Sequence, residues 1–334
     1  MRGIGIGILT FSRLFLAAAL LPITFSKTER CNPKDKAALF NIKESFGNPY
    51  LLASWTHDSD CCTSWYQVEC DPTTNRITSL TIFAGELSGQ IPPAVGDLPF
   101  LEKLIFRKLT NVTGPVQPAI AKLKRLSFLR LDHLNLTGSV PGWLGQLKNL
   151  TFLDLSFNQL TGSIPAELAN LPVLIALHLD RNKLTGRIPD SFGKFSTSLY
   201  LSHNQLSGEI PASMADYNTD FEIDLSRNRL EGDASPLFGG NKSVLFVDIS
   251  RNLFEFDFGK VAAFPPNMSN LDMNHNKIYG KIPAALVNQE LQLFNVSYNR
   301  LCGEIPTGGK LQSFDSTAYF HNRCLCGSPL EPCK

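Results

Sequence analysis

Apolar and polar positions alternate in short bursts along this chain, and the bursts recur. In Leu150-Thr151-Phe152-Leu153-Asp154-Leu155-Ser156-Phe157-Asn158-Gln159-Leu160-Thr161-Gly162-Ser163-Ile164-Pro165, Leu153 and Leu155 have polar or exposed neighbours, which predicts a short strand with one buried face. Asn158 then turns the chain, and its amide can satisfy backbone groups that a coil with one strand per turn leaves unpaired inside. Leu160 returns to the core. Gly162, Ile164 and Pro165 supply a tight bend, an apolar anchor and a residue that cannot donate to a ladder.

The glycine returns at Gly89, Gly114, Gly138, Gly162, Gly186, Gly208, Gly232, Gly280 and Gly303. The period is about 24 residues and implies about ten coils. Phe256 takes the glycine's place in a double interval, and the coil between Gly186 and Gly208 is short by about two residues, which is expected to shorten its convex loop and to tilt Tyr200, Ser202 and His203. Leu-x-Leu-x-x-Asn at this period resembles the leucine-rich repeat, and Leu-x-Gly-x-Ile-Pro its plant extracellular form. The resemblance implies an α/β solenoid, a right-handed leucine-rich repeat superhelix with a concave parallel β-sheet. The expected divisions are a leader over 1–26, a cysteine-containing cap over 27–76, repeats over 77–306 and a second cap over 307–334.

A solenoid exposes apolar core at both ends, and the eight cysteines flank the repeats in two sets: Cys31, Cys61, Cys62 and Cys70, then Cys302, Cys324, Cys326 and Cys333. Disulfide-stapled caps compete with zinc sites; no paired C-x-x-C spacing favours the metal. Each set allows three pairings, and a vicinal Cys61–Cys62 bond would be strained. The expected set is Cys31–Cys61, Cys62–Cys70, Cys302–Cys324 and Cys326–Cys333. Asn32, Pro33, Asp35 and Gly47 mark the ends of a helix whose Leu39, Ile42 and Phe46 would cover the first coil, with Trp55 and Trp65 joining the plug.

Arg2, the apolar run through Leu16-Ala17-Ala18-Ala19-Leu20 and the polar residues after Phe25 read as a secretory leader without a membrane anchor. Losing Arg2 and Arg13 with it takes the formal charge of +1 down by two, to −1. Near-neutrality argues against nucleic acid as a partner. Sequons at Asn111, Asn135, Asn149, Asn241, Asn267 and Asn295 agree with secretion, although Asn295 falls on a predicted strand.

Residues at one repeat position form columns on the concave sheet. Between the core positions stand Arg130, Asp154, His178, Tyr200, Asp224, Asp248, Asp272 and Asn295; beyond them Asp132, Ser156, Asp180, Ser202, Ser226, Ser250, Asn274 and Ser297; then His133, Phe157, Arg181, His203, Arg227, Arg251, His275 and Tyr298. An acidic and hydroxyl stripe thus lies beside a basic and aromatic one. Each Asp could simply pair with an Arg on a neighbouring coil, worth only about 0–1 kcal/mol when exposed. As a surface, with Phe128, Phe152, Phe157, Tyr200 and Phe246 among the charges, it reads as a protein-binding face. Nothing calls for catalysis or a cofactor: the carboxylate spacing follows from the repeat, six scattered histidines make no metal site or triad, and Asn218-Thr219-Asp220 lacks the glycine of the polygalacturonase motif it partly resembles.

Ala53-Ser54-Trp55, Asp60-Cys61-Cys62, the repeats from Leu80, the tail from Leu301-Cys302-Gly303-Glu304-Ile305-Pro306 to Phe314-Asp315, and Tyr319-Phe320-His321-Asn322-Arg323-Cys324-Leu325-Cys326-Gly327 together resemble plant polygalacturonase-inhibiting proteins. The resemblance implies a secreted, monomeric cell-wall protein that binds fungal, and in some cases insect, endo-polygalacturonases and limits pectin cleavage. By position it points to Phe152, Asp154, Ser156, Phe157, His178, Asp180, Arg181, Tyr200, Ser202, His203, Asp224, Ser226, Arg227 and Asp248 as enzyme contacts. Arg181, Lys183, Arg227, Arg229 and Arg251 are expected contacts for pectin. An ice-binding antifreeze protein and a peptide-recognising receptor ectodomain are the alternatives on this scaffold; ice would require a flat array of Thr or Asn, and these columns are mixed and charged.

Overall fold

The computed structural model describes residues 30–194, 197–216 and 222–334. The expected leader and the Asn218–Asp220 stretch lie outside the described residues.

The strand Val68–Cys70 opens an eleven-stranded sheet, pairing antiparallel with Ile77–Phe83, the first of ten mutually parallel strands, one per coil, that end at Leu293–Asn295. The alternation that predicted the strands is the alternation that buries them. Leu153 and Leu155 are fully inaccessible, and Leu129, Leu153, Leu177 and Leu199 lie in register across four coils. Each fully buried leucine contributes roughly 1.5–3 kcal/mol, so the core is a continuous spine along the stack.

Asparagine supplies the internal hydrogen bonds. Asn252 donates from Nδ2 to the carbonyls of Leu225 (2.9 Å), Ile249 (3.2 Å) and Ser250 (3.2 Å) and accepts from the Leu230 N–H (3.0 Å). Asn158, Asn182, Asn228, Asn276 and Asn299 repeat the pattern, each tying its own coil to the one before.

Three features differ from expectation. The glycine does more than bend the chain: Gly162 sits at φ 78° within a strand, Thr161–Ser163, and such strands form a second set of parallel sheets of three, five and three strands along one flank. On the convex side the coils carry 3-10 helices such as Ala166–Asn170, closed by Leu168 N–H to Pro165 O and Leu171 N–H to Leu168 O. Runs this short suit the 3-10 helix, which occurs in short pieces. The short coil also leaves the sheet undisturbed, because His178, Tyr200 and Asp224 pair in unbroken register. The expected tilt of Tyr200, Ser202 and His203 is absent: the Arg181 N–H donates to Ser202 O and the His203 N–H to Ser226 O, both at 2.9 Å.

Both ends are closed as expected. Helix α1, Pro33–Ser45, is capped by Asn32, whose side chain accepts from the N–H groups of Lys34 and Asp35, and it buries Leu39 and Ile42. Asp35 holds Arg76 through two 2.8 Å contacts and accepts from the Ile77 N–H, fastening the helix to the first strand. Trp55 and Trp65 stack at 5.4 Å behind it. The bonded pairs are Cys31–Cys61, Cys62–Cys70, Cys302–Cys324 and Cys326–Cys333. Among the described residues no helix is long and apolar enough to cross a membrane.

Candidate functional site on the concave sheet

Register brings the predicted columns together: Arg130, Asp154, His178, Tyr200, Asp224, Asp248, Asp272 and Asn295 are successive partners on neighbouring strands. Four of these strands end in a turn built by their own acid. Asp224 Oδ1 accepts from the N–H (3.0 Å) and hydroxyl (2.7 Å) of Ser226, and Asp154 does the same for Ser156 at 2.9 and 2.6 Å. Asp248 with Ser250, and Asp272 with Asn274, repeat the arrangement. The Asp-x-Ser spacing is therefore a local strand stop.

The next residue takes the left-handed region in every coil: Phe157, Arg181, His203, Arg227, Arg251, His275 and Tyr298 all have φ between 52° and 55°. Of these residue types only His is enriched in that conformation, so at Phe157, Arg181, Arg227, Arg251 and Tyr298 the side chain gave no warning of it and the repeat position does. The backbone thereby turns Arg181, Arg227 and Arg251 outward at the sheet's edge while the asparagine that follows turns in.

Between the two stripes lies a polar cavity of about 450 Å³, lined by Asp180, Arg181, Ser202, His203, Asp224, Ser226, Arg227, Asp248, Ser250, Arg251, Asp272 and Asn274. Burial, with Asp154 and Asp224 nearby, pushes the Asp180 carboxyl up to about 7 against the pull of Arg181. Burial pushes Asp248 up to about 6, reinforced by Asp272 and Asp224 and opposed by Ser250. Asp272 is raised by the same cause. Burial lowers His203, and Arg181 and Arg227 lower it further. Toward the amino terminus the lining becomes aromatic: Phe128 stacks on Phe152 at 4.4 Å, Phe152 meets His178 at 5.2 Å, and His178 stacks on Tyr200 at 4.1 Å. Tyr200 is fixed by a hydrogen bond from its hydroxyl to Glu222. Phe157 is sandwiched by His133 (3.8 Å) and Arg181 (4.9 Å) and remains 37% exposed.

Two groups of predicted residues are placed differently from expectation. Asp154, Ser156, Ser202 and Ser226 are buried, with Asp154 only 3% exposed, and form floor and frame; in Asp154, Ser156 and Ser226 the strand-stop bonds fold the side chains onto the sheet. Asp154 also holds Arg130 at 3.1 Å, the cross-coil pairing that the repeat alone suggested. Lys183 and Arg229 lie on the flanking strands Lys183–Gly186 and Arg229–Gly232, so they share no groove with Arg181, Arg227 and Arg251. Of the sequon asparagines, Asn111, Asn135, Asn149, Asn241 and Asn267 are exposed, whereas Asn295 is half-buried and accepts from Ser297.

Comparison with known proteins agrees with this architecture. The leucine rich repeat N-terminal domain matches residues 32–71, and the Leucine Rich Repeat matches 149–171, 174–195 and 197–216. A polygalacturonase inhibitor of Pyrus communis is 65% identical over 92% of this chain and 93% of its own. One of Vitis vinifera is 61% identical over 97% of this chain and 99% of its own. A solved plant ice-binding protein is 54% identical, with a TM-score of 0.89 over 92% of this chain and 99% of its own. The chain belongs to the leucine-rich repeat family of plant polygalacturonase inhibitors.

Proposed function

We propose that this protein is secreted to the plant cell wall, where as a monomer it binds fungal or insect endo-polygalacturonases on its concave sheet and inhibits them without performing chemistry. The observation that carries the reading is the cavity in which Asp180, Asp224, Asp248 and Asp272 face Arg181, Arg227 and Arg251 beside the Phe152–Tyr200 aromatic run. Its carboxylates complement the basic groups with which an enzyme holds polygalacturonate, and the aromatics supply anchors within a polar rim. A sheet of ten coils is already stiff, so docking orders little. Arg181, Arg227 and Arg251 form one exposed cationic edge suited to pectin, with Lys183 and Arg229 exposed on the flanking strands.

Titration into fungal endo-polygalacturonases, following reducing-end release from polygalacturonate, tests the reading. Asp224→Lys should weaken inhibition by more than about tenfold, and Asp224→Asn, which keeps the Ser226 turn, separates lost charge from lost structure. A Lys281→Glu change beside the flanking sheet should have no effect. Equal losses would move the contact off the concave face.

A second reading, ice binding, draws on the flank. Its first coils expose Ser88, Gln90, Asn111, Asn135, Thr137, Ser139, Thr161, Ser163 and Thr185, uncharged polar groups along two flank sheets joined by the Ser139–Thr161 bridge, with Lys183 as the one charge among those strands. The concave columns lack that regularity; the flank has it. Freezing-point hysteresis abolished by Thr161→Lys would support this reading, and its absence in protein freed of glycans at Asn111 and Asn135 would remove it.

A further inference from the structure

At the amino-terminal end of the concave face, ahead of the polar cavity, Asp132 is completely buried and gathers three groups. Arg130 Nε lies 2.7 Å from Oδ1, Arg107 Nε 3.2 Å from Oδ2, and His133 Nδ1 2.6 Å from Oδ2. Both arginines spend Nε on this anchor, and among the described residues neither Nη pair is hydrogen-bonded to protein. Their side chains remain 34% and 27% exposed. They open onto a pocket of about 260 Å³ whose other walls are Thr81, Phe83 and Ile105. Two guanidinium forks, aligned on adjacent strands by a buried acid and facing an apolar cavity, form a receptor for a carboxylate attached to an apolar group.

We propose that this pocket binds the C-terminal carboxylate and last apolar side chain of a peptide. In a chain terminus both groups hang from one carbon, and here the Arg107 guanidinium lies 5.8 Å from the centre of the Phe83 ring. Capture of a free terminus is an established mode of peptide recognition. An internal Asp or Glu holds its carboxylate away from the neighbouring apolar side chain. A uronic acid fits less well, because Thr81 offers the pocket's one hydroxyl for a ring full of them, and Phe83 is already flanked by Arg107 and Lys108. The pocket shares no lining residue with the polar cavity that carries the polygalacturonase reading, and the strand Phe152–Asp154 lies between them, touching the pocket through the Asp154 contact to Arg130.

The test uses the full chain and N-acetyl-alanyl-leucine, compared with its C-terminal amide and with trigalacturonate, by ligand-observed NMR up to about 10 mM. The free acid should bind, the amide at least about tenfold more weakly, and Arg107→Gln should reduce acid binding by a similar factor. Arg107→Gln leaves Arg130 and His133 on Asp132; Phe83→Ala, which removes only an exposed wall, is the companion variant should the first disturb folding. Arg227→Gln should leave acid binding unchanged. Equal binding of acid and amide, binding insensitive to both pocket variants, no binding of the acid, or trigalacturonate binding that Arg107→Gln abolishes while the acid is ignored would overturn the proposal.

Discussion

Asn252 illustrates how much one side chain holds in this fold. Asn252→Ala removes the acceptor of the buried Leu230 N–H and the donor to three carbonyls, leaving polar groups without water or partner. A loss of about 2–4 kcal/mol is expected, read as a lower urea midpoint. The role of the asparagine was legible from its inward position at a fixed offset from the leucines. That the residue before it takes a left-handed turn was not, because at Phe157 and Arg181 the coil imposes that conformation on residue types that rarely adopt it. Titration belongs to the same scale. Asp180 and Asp248 are raised by burial, so the folded state holds protons that the unfolded chain releases. Their contribution is full below the unfolded value near 3.8 and is lost as pH rises through about 6 to 7. The urea midpoint should therefore fall between about pH 4 and 7, and Asp248→Asn should flatten part of that slope.

At the scale of the element, the coil that lacks the glycine is rebuilt around rings. Phe256 is buried where other coils have glycine, and it meets Phe258 edge-on at 6.4 Å, which in turn packs on Phe264 at 5.9 Å and Phe238 at 6.4 Å. Phe258→Ala should cost about 3–5 kcal/mol, with hydrogen exchange accelerated first in the strands Phe246–Asp248 and Asn270–Asp272 on either side. The concave strands could be read from their period of two. Their flanking counterparts could not: Thr161–Ser163 is a short polar run centred on a glycine, and only the stacking of coils supplies its partners.

For the whole molecule, each coil has neighbours on two sides and the ends have one, so stability depends on both caps. Opening Cys62–Cys70 and Cys31–Cys61 by reduction should free the plug of Trp55, Trp65 and α1, and amides of Ile77–Phe83 should lose protection before those of the central coils. The cationic edge of Arg181, Arg227 and Arg251 is likewise a property of the stack, since parallel coils about 4.8 Å apart add charges that no single coil could bring together.

The local pattern determined the coil count, the buried leucines and asparagines, the capping helix and the columns of the concave face, because each follows from a period of two within strands and a fixed length between them. Tertiary structure decided what those columns expose. Strand-stop bonds drew Asp154 and Ser226 inward, a forced left-handed turn sent Arg181 and Arg227 outward, and the flanking sheet carried Lys183 and Arg229 away from them. The physical reason is that exposure in a solenoid is set by the direction of the backbone relative to the neighbouring coil, a relation that does not exist until the coils are stacked.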